Sequence, residues 1–161
     1  MMFCVIDKMI EYFGGDVRRI NHALKVYGFA TTISDVNGVS EKEAKVIGLA
    51  AVLHDIGIKE AERKYQSAAG KYQEMEGPPI AKQILEKSGV ENSVIERVCF
   101  LIGNHHSYQK IDGLDFQILV EADFLVNIFE DSMDRHVVES IKKKYFKTKN
   151  GIKLINGVYL K

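Results

Sequence analysis

The sequence predicts an all-α protein, organised as a bundle of six or more helices. Apolar residues recur at spacings of three and four along most of the chain, which is the period of an amphipathic helix. The only two prolines are adjacent, at 78–79, so long stretches contain no helix breaker. Apolar residues make up 46% and charged residues 27% of the 161 positions, which is typical of one globular domain with a substantial core.

Composition also limits the function classes and the location. Basic and acidic residues are equal in number, so the formal net charge is zero and no stable nucleic-acid partner is expected. No apolar run approaches the roughly 20 residues that span a membrane. Cys4 and Cys99 are the only cysteines and have neither metal-binding nor redox spacing. We therefore expect a cytoplasmic protein with two reduced thiols.

Two helices are predicted before residue 34, and the Gly14-Gly15 pair separates them. The first carries an apolar stripe at helical spacing, with charged residues on the opposite face. Asp16 is a suitable N-cap for the second helix, which is predicted over 17–33 and contains His22. The stripe of the first helix consists of Phe3, Ile6, Ile10 and Phe13.

A central helix is predicted after Ser40, which forms a capping box with Glu43. Apolar residues surround this helix on almost every side, so it is expected to be buried. Its last turn nevertheless contains the ionisable pair His54-Asp55. A buried carboxylate needs a cation or several donors, and the negative end of the helix dipole increases that need. A bound metal ion would satisfy both requirements.

The next segments are predicted from glycine and proline positions and from apolar periodicity. Residues 60–76 are mostly polar and are expected to form a helix, a mobile lid or both. The Gly-Pro-Pro sequence at 77–79 predicts the start of a further helix, because proline is tolerated in a first turn. The helix after it ends in His105, which follows apolar residues at spacings of three and four and should therefore point inward.

The C-terminal part is predicted to contain two more helices and a less regular tail. A strongly apolar helix over about 115–129 contains Asp123. A last helix follows over about 132–144. Two Asn-Gly pairs, at 150–151 and 156–157, predict a small β-hairpin or a wrapped extension.

Five ionisable residues fall where the helix pattern demands apolar neighbours. Taken singly, such a histidine is more often a hydrogen-bonded core residue, and such an aspartate is more often a cap or an ion-pair partner. Together, two imidazoles and two carboxylates suit a divalent transition ion with open positions for water and substrate. The five residues are His22, His54, Asp55, His105 and Asp123.

The order of these residues along the chain resembles the signature of the HD-domain superfamily of metal-dependent phosphohydrolases. That signature is a histidine, then an adjacent His-Asp pair, then a distant aspartate, all carried on helices. The resemblance covers about 15–130. The matching segments are RINHALKV with His22, AAVLHDIG with His54 and Asp55, and LVEADFL with Asp123.

The resemblance implies an all-α bundle that holds its metal between helices. The four signature residues would be the ligands of one divalent ion, and some branches of the superfamily hold two. Mn, Fe, Co, Ni, Mg and Zn are all candidates. A single domain over 1–161 is expected, with a motif-bearing core at about 15–130 and a C-terminal extension at about 131–161.

One segment resembles part of a branch that holds two metals. The segment IGNHHSYQKIDG contains His105-His106 and resembles the cyclic-dinucleotide phosphodiesterase branch. Ser107 replaces the glutamate of that branch, and its Gly-Tyr-Pro sequence is absent, so that specific activity is not expected. His105 is a candidate ligand of a second ion, and His106 is a candidate for the same ion or for substrate binding.

A second segment, QEMEGPPIAKQIL, occupies the place of another ligand histidine in those branches. Gln73, Glu74 and Glu76 are the polar side chains available there. We predict that Glu76 is a metal ligand or a catalytic base. The alternative is a solvated charge near a helix N-terminus.

The residues and the resemblance together predict a metal-dependent phosphohydrolase that cleaves a phosphate ester or anhydride. The expected substrate is a small phosphorylated molecule, a nucleotide above all. A phosphomonoesterase, a phosphodiesterase and a nucleotide pyrophosphohydrolase all fit. Asp55 or Glu76 would orient or deprotonate the attacking water. Lys59, Arg18 or Arg19 would balance the charge of the phosphoryl group.

Two other function classes stay open at this point. The chain could be a regulatory module that binds a nucleotide or a metal without turnover. It could also be an oxygenase with two irons, a chemistry known for some HD-like folds. A homodimer stays open as well.

Overall fold

The computed structural model describes residues 1–161 and is entirely helical, which confirms the predicted all-α class. Nine α-helices and one short 3-10 helix follow one another without any strand. None of the helices is both long and apolar enough to cross a membrane. The elements are α1 (Met2–Phe13), α2 (Val17–Asn37), α3 (Glu41–Leu53), α4 (Ile58–Tyr65), α5 (Gly70–Lys87), α6 (Asn92–Ile102), the 3-10 helix (Tyr108–Lys110), α7 (Leu114–Glu130), α8 (Arg135–Tyr145) and α9 (Lys149–Tyr159).

Helix α3 is the centre of the bundle because it is apolar on all sides. Every residue from Val46 to Leu53 is buried, and the helix packs against α1, α2, α6 and α7. The core comprises 36 buried apolar residues and includes side chains from both ends of the chain. The last turn of α3 therefore lies deep inside the protein, and so do the residues that follow it.

Side-chain caps fix where α2, α3 and α8 begin. Asp16 accepts a hydrogen bond from the backbone N–H of Arg19 (3.2 Å) at the start of α2. Ser40 and Glu43 form the predicted capping box of α3. Asp134 caps α8 in the same way as Asp16 caps α2 (3.0 Å). Each cap satisfies a backbone donor that the first helical turn leaves free.

Helix α5 starts earlier than predicted, at Gly70 rather than at the Gly-Pro-Pro sequence. Pro78 and Pro79 lie inside the helix, where each removes one backbone donor but keeps a φ angle near the helical value. The residues before them include lysine, glutamine, methionine and glutamate, which are good helix formers. The polar segment 60–76 therefore contains most of α4, the start of α5 and a short junction at 66–69.

The turn after α3 is pressed against α5 at a contact between two glycines. A β-carbon on Gly57 would lie 2.5 Å from the backbone N of Gly77 and 2.6 Å from the backbone O of Gln73. A β-carbon on Gly77 would lie 2.6 Å from the Ile102 side chain. Only glycine permits this approach, and it brings α5 within reach of the residues that follow α3.

The predicted C-terminal β-hairpin is wrong, because residues 149–159 form α9. Thr148 caps this helix by accepting a hydrogen bond from the backbone N–H of Gly151 (2.9 Å). A type I′ hairpin turn needs positive φ angles, and neither Gly151 nor Gly157 has one. Ile155 is fully buried where α9 packs against α2, α7 and α8, whereas a single two-stranded hairpin is only marginally stable.

A buried carboxylate joins the C-terminal part of the chain to the rest of the bundle. Glu121 of α7 is fully buried and accepts hydrogen bonds from the Thr148 hydroxyl (2.8 Å) and the Thr148 backbone N–H (3.2 Å). The side-chain amide of Gln117 donates a third hydrogen bond (2.6 Å). Burial raises the pKa of Glu121, and these donors oppose that shift. The contact ties the segment before α9 to the helix that also carries Asp123.

Substitution of Gly151 tests this contact. A β-carbon at Gly151 would lie 1.9 Å from the Glu121 Oε1 atom, so one of the two must move. We expect Gly151→Ala to lower the free energy of unfolding by about 1–3 kcal/mol, seen as a lower Tm in thermal unfolding. Gly157→Ala in the same helix is the matched control and should keep or raise Tm, because that position has no neighbour within 4 Å. Equal Tm values for the two variants would contradict the role of the contact.

Candidate metal centre

Four helices, or the turns that follow them, bring the predicted ligand residues together. His22 lies in the second turn of α2, and Asp123 lies in the middle of α7. His54 and Asp55 follow the last residue of α3, and His105 follows α6 after a short turn. The packing of α3 against α2, α6 and α7 places all five side chains at one point, and four of them are buried.

The first group of ligand atoms comes from His22, His54 and Asp123. His22 Nε2 lies 3.1 Å from both His54 Nε2 and Asp123 Oδ1. Asp55 Oδ2 lies close by, 3.3 Å from His22 Nε2 and 3.4 Å from His54 Nε2. Ligand atoms at about 2.1 Å from an octahedral ion are roughly 3.0 Å apart, so this spacing suits a single divalent ion.

The hydrogen-bond partners of these two imidazoles leave both Nε2 atoms without a hydrogen in the neutral form. His54 donates from Nδ1 to the backbone O of Ala51 (2.8 Å), and His22 donates from Nδ1 to Glu130 Oε1 (3.0 Å). Two Nε2 lone pairs therefore face each other and two carboxylates, and they repel unless a proton or a cation lies between them. A divalent ion held by these atoms would remove the repulsion, and the Nδ1 partners are those that metal-bound histidines normally have.

Glu130 contacts the candidate centre through His22, although the sequence pattern did not single it out. It lies on α7 seven residues after Asp123, two helical turns along the same face, and that spacing is the signal that would have found it. Its Oε1 atom also lies 2.9 Å from Lys25 Nζ. Glu130 thus orients His22 as one half of a carboxylate–histidine pair, while Lys25 compensates the charge of the carboxylate.

The second group consists of Asp55, His105 and His106, with one ligand atom from each within 4.8 Å of the others. His105 donates from Nδ1 to the backbone O of Ile102 (2.7 Å). Its Nε2 atom is buried, has no hydrogen-bond partner and lies 3.4 Å from Asp55 Oδ1. Asp55 thus directs one oxygen toward each group, as a carboxylate that bridges two ions would. The unpartnered Nε2 atom fits a second ion.

His106 contacts two of the three polar side chains that the QEMEG segment offers. Its Nε2 atom lies 3.1 Å from Gln73 Oε1, and its backbone N–H donates to Glu74 Oε1 (3.0 Å). Burial, reinforced by the neighbouring His105, lowers the pKa of His106 to about 4. His106 is therefore neutral at neutral pH and able to bind a metal. Gln73 and Glu74, rather than Glu76, reach the second group.

The structure does not bring Glu76 or Lys59 to the centre. Glu76 faces α4, where it accepts hydrogen bonds from Lys64 Nζ (2.9 Å) and the Tyr65 hydroxyl (3.0 Å). It does so because α5 continues through this position instead of beginning after it. Lys59 donates to the backbone O of Tyr12 (2.9 Å), since the turn between α3 and α4 breaks the helical spacing that would place it near the His-Asp pair.

Opposite charges shift the pKa values at the centre in opposite directions. Burial lowers the pKa of His54, but Asp55 and Asp123 outweigh burial and raise that pKa well above 6.5. Burial raises the pKa of each aspartate, but the neighbouring imidazoles outweigh it and hold both carboxyl pKa values well below 3.8. Without a metal, imidazole protons therefore lie between ionised carboxylates, and a bound ion would replace those protons.

An open cavity of about 450 Å³ lies over the two groups. Arg18 lines it with a side chain that is 77% exposed and has only a 3.9 Å contact with Asp131. Arg19 also lines the cavity but is ion-paired with Asp16 and Glu62, so Arg18 is the freer of the two predicted arginines. The remaining lining residues are Asp16, His22, Asp55, Ile58, Ala68, Gln73, His106, Asp123, Asn127 and Glu130.

The pKa shift of His54 predicts that pH affects stability when no metal is bound. Because this pKa is raised above 6.5 in the fold, its stabilising effect is complete below 6.5 and is lost as pH rises through the folded pKa. We expect the Tm of chelator-treated protein to fall as pH rises from about 6.5 through the raised His54 pKa. Adding Mn²⁺ should raise Tm most at the upper end, because the ion replaces the lost protons. A metal-free Tm that stays constant over this interval would contradict the shift.

Comparisons with known proteins identify the family and the fold. The HD domain family matches residues 19–144 of the chain. The fold is similar to the crystal structure, at 1.45 Å resolution, of a predicted HD superfamily hydrolase from an uncultured Thermotogales bacterium. The TM-score is 0.70 and the identity 21%, over 97% of this chain and 83% of that one. No curated protein matches the sequence significantly. Since the family match covers well over half of the sequence, the chain belongs to the HD-domain family.

Proposed function

We propose that this chain is a metal-dependent phosphohydrolase that cleaves a phosphate ester or anhydride, with nucleotides as the substrate class. One observation carries the proposal: buried imidazole acceptors and two carboxylates converge below an open cavity that an exposed arginine also lines. Phosphate hydrolysis needs an activated water and cations near the phosphoryl oxygens. This donor set, with the arginine, supports both requirements.

The two groups would hold one divalent ion each, with Asp55 shared between them. Mixed imidazole and carboxylate donors favour Mn, Fe, Co, Ni or Zn over Mg, which prefers oxygen ligands. When bound, such an ion lowers the pKa of a coordinated water and polarises a phosphoryl oxygen. The choice among the transition ions stays a prediction.

Asp55 and Arg18 are the side chains for which we propose direct roles in the reaction. Asp55 stays ionised because the neighbouring imidazoles outweigh burial and hold its carboxyl pKa well below 3.8, so it would orient the attacking water. Arg18 would bind the phosphate through two parallel N–H groups, because no close ion pair occupies its guanidinium. Arg19 would add positive charge without moving, since Asp16 and Glu62 hold it.

The two other function classes would behave differently from a phosphohydrolase. A regulatory module would bind metal or nucleotide without turnover, and an oxygenase would need two irons and oxygen. The cytoplasmic location, the homodimer, the single-domain organisation and the absence of a nucleic-acid partner stay predictions.

Metal content tests the two groups separately. Protein purified without chelator and titrated with Mn²⁺ or Co²⁺ should bind about two equivalents by elemental analysis. His105→Ala should lower this to about one, because only the second group loses a ligand. His136→Ala is the matched control, since that histidine is exposed on α8 and belongs to neither group. Uptake below about a tenth of an equivalent by wild type would contradict the proposal. A single equivalent that His105→Ala leaves unchanged would contradict the second ion.

Hydrolysis of a panel of phosphate esters and nucleotides, with Mn²⁺, Co²⁺, Ni²⁺, Mg²⁺ or Fe²⁺, tests the reaction itself. Asp55→Ala should lower the rate by at least about 100-fold while helix content by circular dichroism stays at the wild-type level, because both groups lose a carboxylate. Glu76→Gln should keep the rate, because its carboxylate contacts only Lys64 and Tyr65. Equal rates for wild type and Asp55→Ala would exclude the proposed role of the centre. Metal uptake without turnover of any substrate would favour the regulatory module.

A further inference from the structure

His106 differs from the other histidines of the centre in the ring nitrogen that its neighbours engage. His22, His54 and His105 each donate from Nδ1 to a fixed oxygen atom, at 2.7–3.0 Å. His106 instead places Nε2 at 3.1 Å from Gln73 Oε1. The nitrogen that remains for a ligand is therefore Nε2 in the first three residues and Nδ1 in His106.

The direction of this hydrogen bond follows from the orientation of the Gln73 amide. The Nε2 atom of Gln73 donates to the backbone O of Ala68 (2.6 Å), and the reverse orientation would set two oxygen atoms against each other. The Oε1 atom that faces His106 can only accept a hydrogen bond. The hydrogen of the neutral His106 ring therefore lies on Nε2.

The His106 ring has little freedom to choose another partner. A β-carbon on Gly70 would lie 3.0–3.1 Å from three side-chain atoms of His106, so the imidazole lies directly against the backbone there. The backbone N–H of His106 donates to Glu74 Oε1 (3.0 Å), and the ring centroid of His105 is 4.0 Å away. Gln73 is only 7% exposed, so water competes little for its amide.

We propose that Gln73 is a positioning residue that holds the hydrogen of His106 on Nε2. The Nδ1 atom of His106 is thereby left to bind the ion of the second group, beside Asp55 and His105. The inference rests on the proposed function only for the presence of that ion, since the tautomer is a property of the metal-free protein. It makes the second group unlike the first, whose imidazoles both bind through Nε2.

The same contact connects the α4–α5 junction to the second group. Ala68 belongs to this junction, and its carbonyl oxygen sets the orientation of Gln73. A change in the junction would free the Gln73 amide to reorient, and the His106 ring could then adopt the other tautomer. Only the affinity for the second ion would fall. The first group does not depend on the junction, because its imidazoles are held by residues of α3 and α7.

Nitrogen NMR of metal-free protein labelled with nitrogen-15 histidine tests the tautomer directly. At neutral pH we expect a protonated Nε2 and an unprotonated Nδ1 in His106. The signals are assigned by their loss in His106→Ala. A hydrogen on Nδ1 of His106 would overturn the inference, because Nε2 would then be the ligand atom and Gln73 would not be its acceptor.

Substitution of Gln73 tests the consequence for metal binding. Gln73→Leu removes the acceptor at similar size and should weaken the second Mn²⁺ equivalent by about 10–100-fold in calorimetric titration, while the first keeps its affinity. Gln73→Glu also accepts from Nε2–H, but it sets a carboxylate oxygen against the backbone O of Ala68, so it tests the tautomer alone and should keep the hydrogen of His106 on Nε2. Gln83→Leu, at an exposed position of the same helix, is the matched control and should change neither affinity.

The outcomes separate this inference from the proposed function. Two ions with unchanged affinities in Gln73→Leu would overturn the positioning role and leave the phosphohydrolase proposal intact. A wild type with the expected tautomer but without metal uptake would contradict the proposed function and the ligand role of Nδ1. If Gln73→Leu does not fold, the nitrogen spectra of wild type and Gln73→Glu still decide the question, because a hydrogen on Nδ1 of His106 in both would overturn the inference.

Discussion

The centre depends on one constraint, which is that nitrogen and oxygen acceptors are packed so closely that protons or a cation must lie between them. Three Nε2 atoms and two carboxylates converge at distances of 3.1–3.4 Å, where their lone pairs repel. Oxygen acceptors on the far side of each imidazole prevent the rings from turning away. The apolar packing around α3 supplies the stability that keeps this arrangement in place, and a cation removes the repulsion.

Helix α7 separates this centre from the C-terminal part of the chain. Asp123 and Glu130 lie on the side of α7 that faces the imidazoles, whereas Glu121 lies on the other side and binds Thr148. Two buried carboxylates only two residues apart thus have opposite environments. At Asp123 the imidazoles outweigh burial and lower the carboxyl pKa, while at Glu121 the donors are neutral and burial raises it. The environment of Asp123 therefore suits a cation, whereas Glu121 has a structural role.

Sequence patterns identify residues whose burial follows from their residue type and their helical spacing. They miss residues that act through contacts between helices. The helical period places His54 and His105 inward, because an apolar face has only one direction in which to pack. Glu130 and Gln73 act by orienting a histidine on another element, and no local pattern encodes such a partner. The prediction for Glu76 depends only on its place in the QEMEG segment. Because α5 starts earlier than predicted, the Glu76 side chain faces α4 instead. The C-terminal hairpin fails for the same reason, because a tertiary contact with α7 selects the helix.

The formal charge of the cavity bears on how many ions a phosphorylated substrate would need. Its lining contains four carboxylates and two arginines, which gives a formal charge of −2 once a bound ion has replaced the imidazole protons and before the charge of that ion is counted. One divalent ion would bring this charge to zero, and only a second one would make the cavity positive. On the proposed function, one ion would be enough to bind a water, whereas affinity for a phosphorylated substrate would depend on the second ion. If Gln73 has the proposed role at the second position, the α4–α5 junction, which also lines the cavity through Ala68, would couple ion binding to substrate entry.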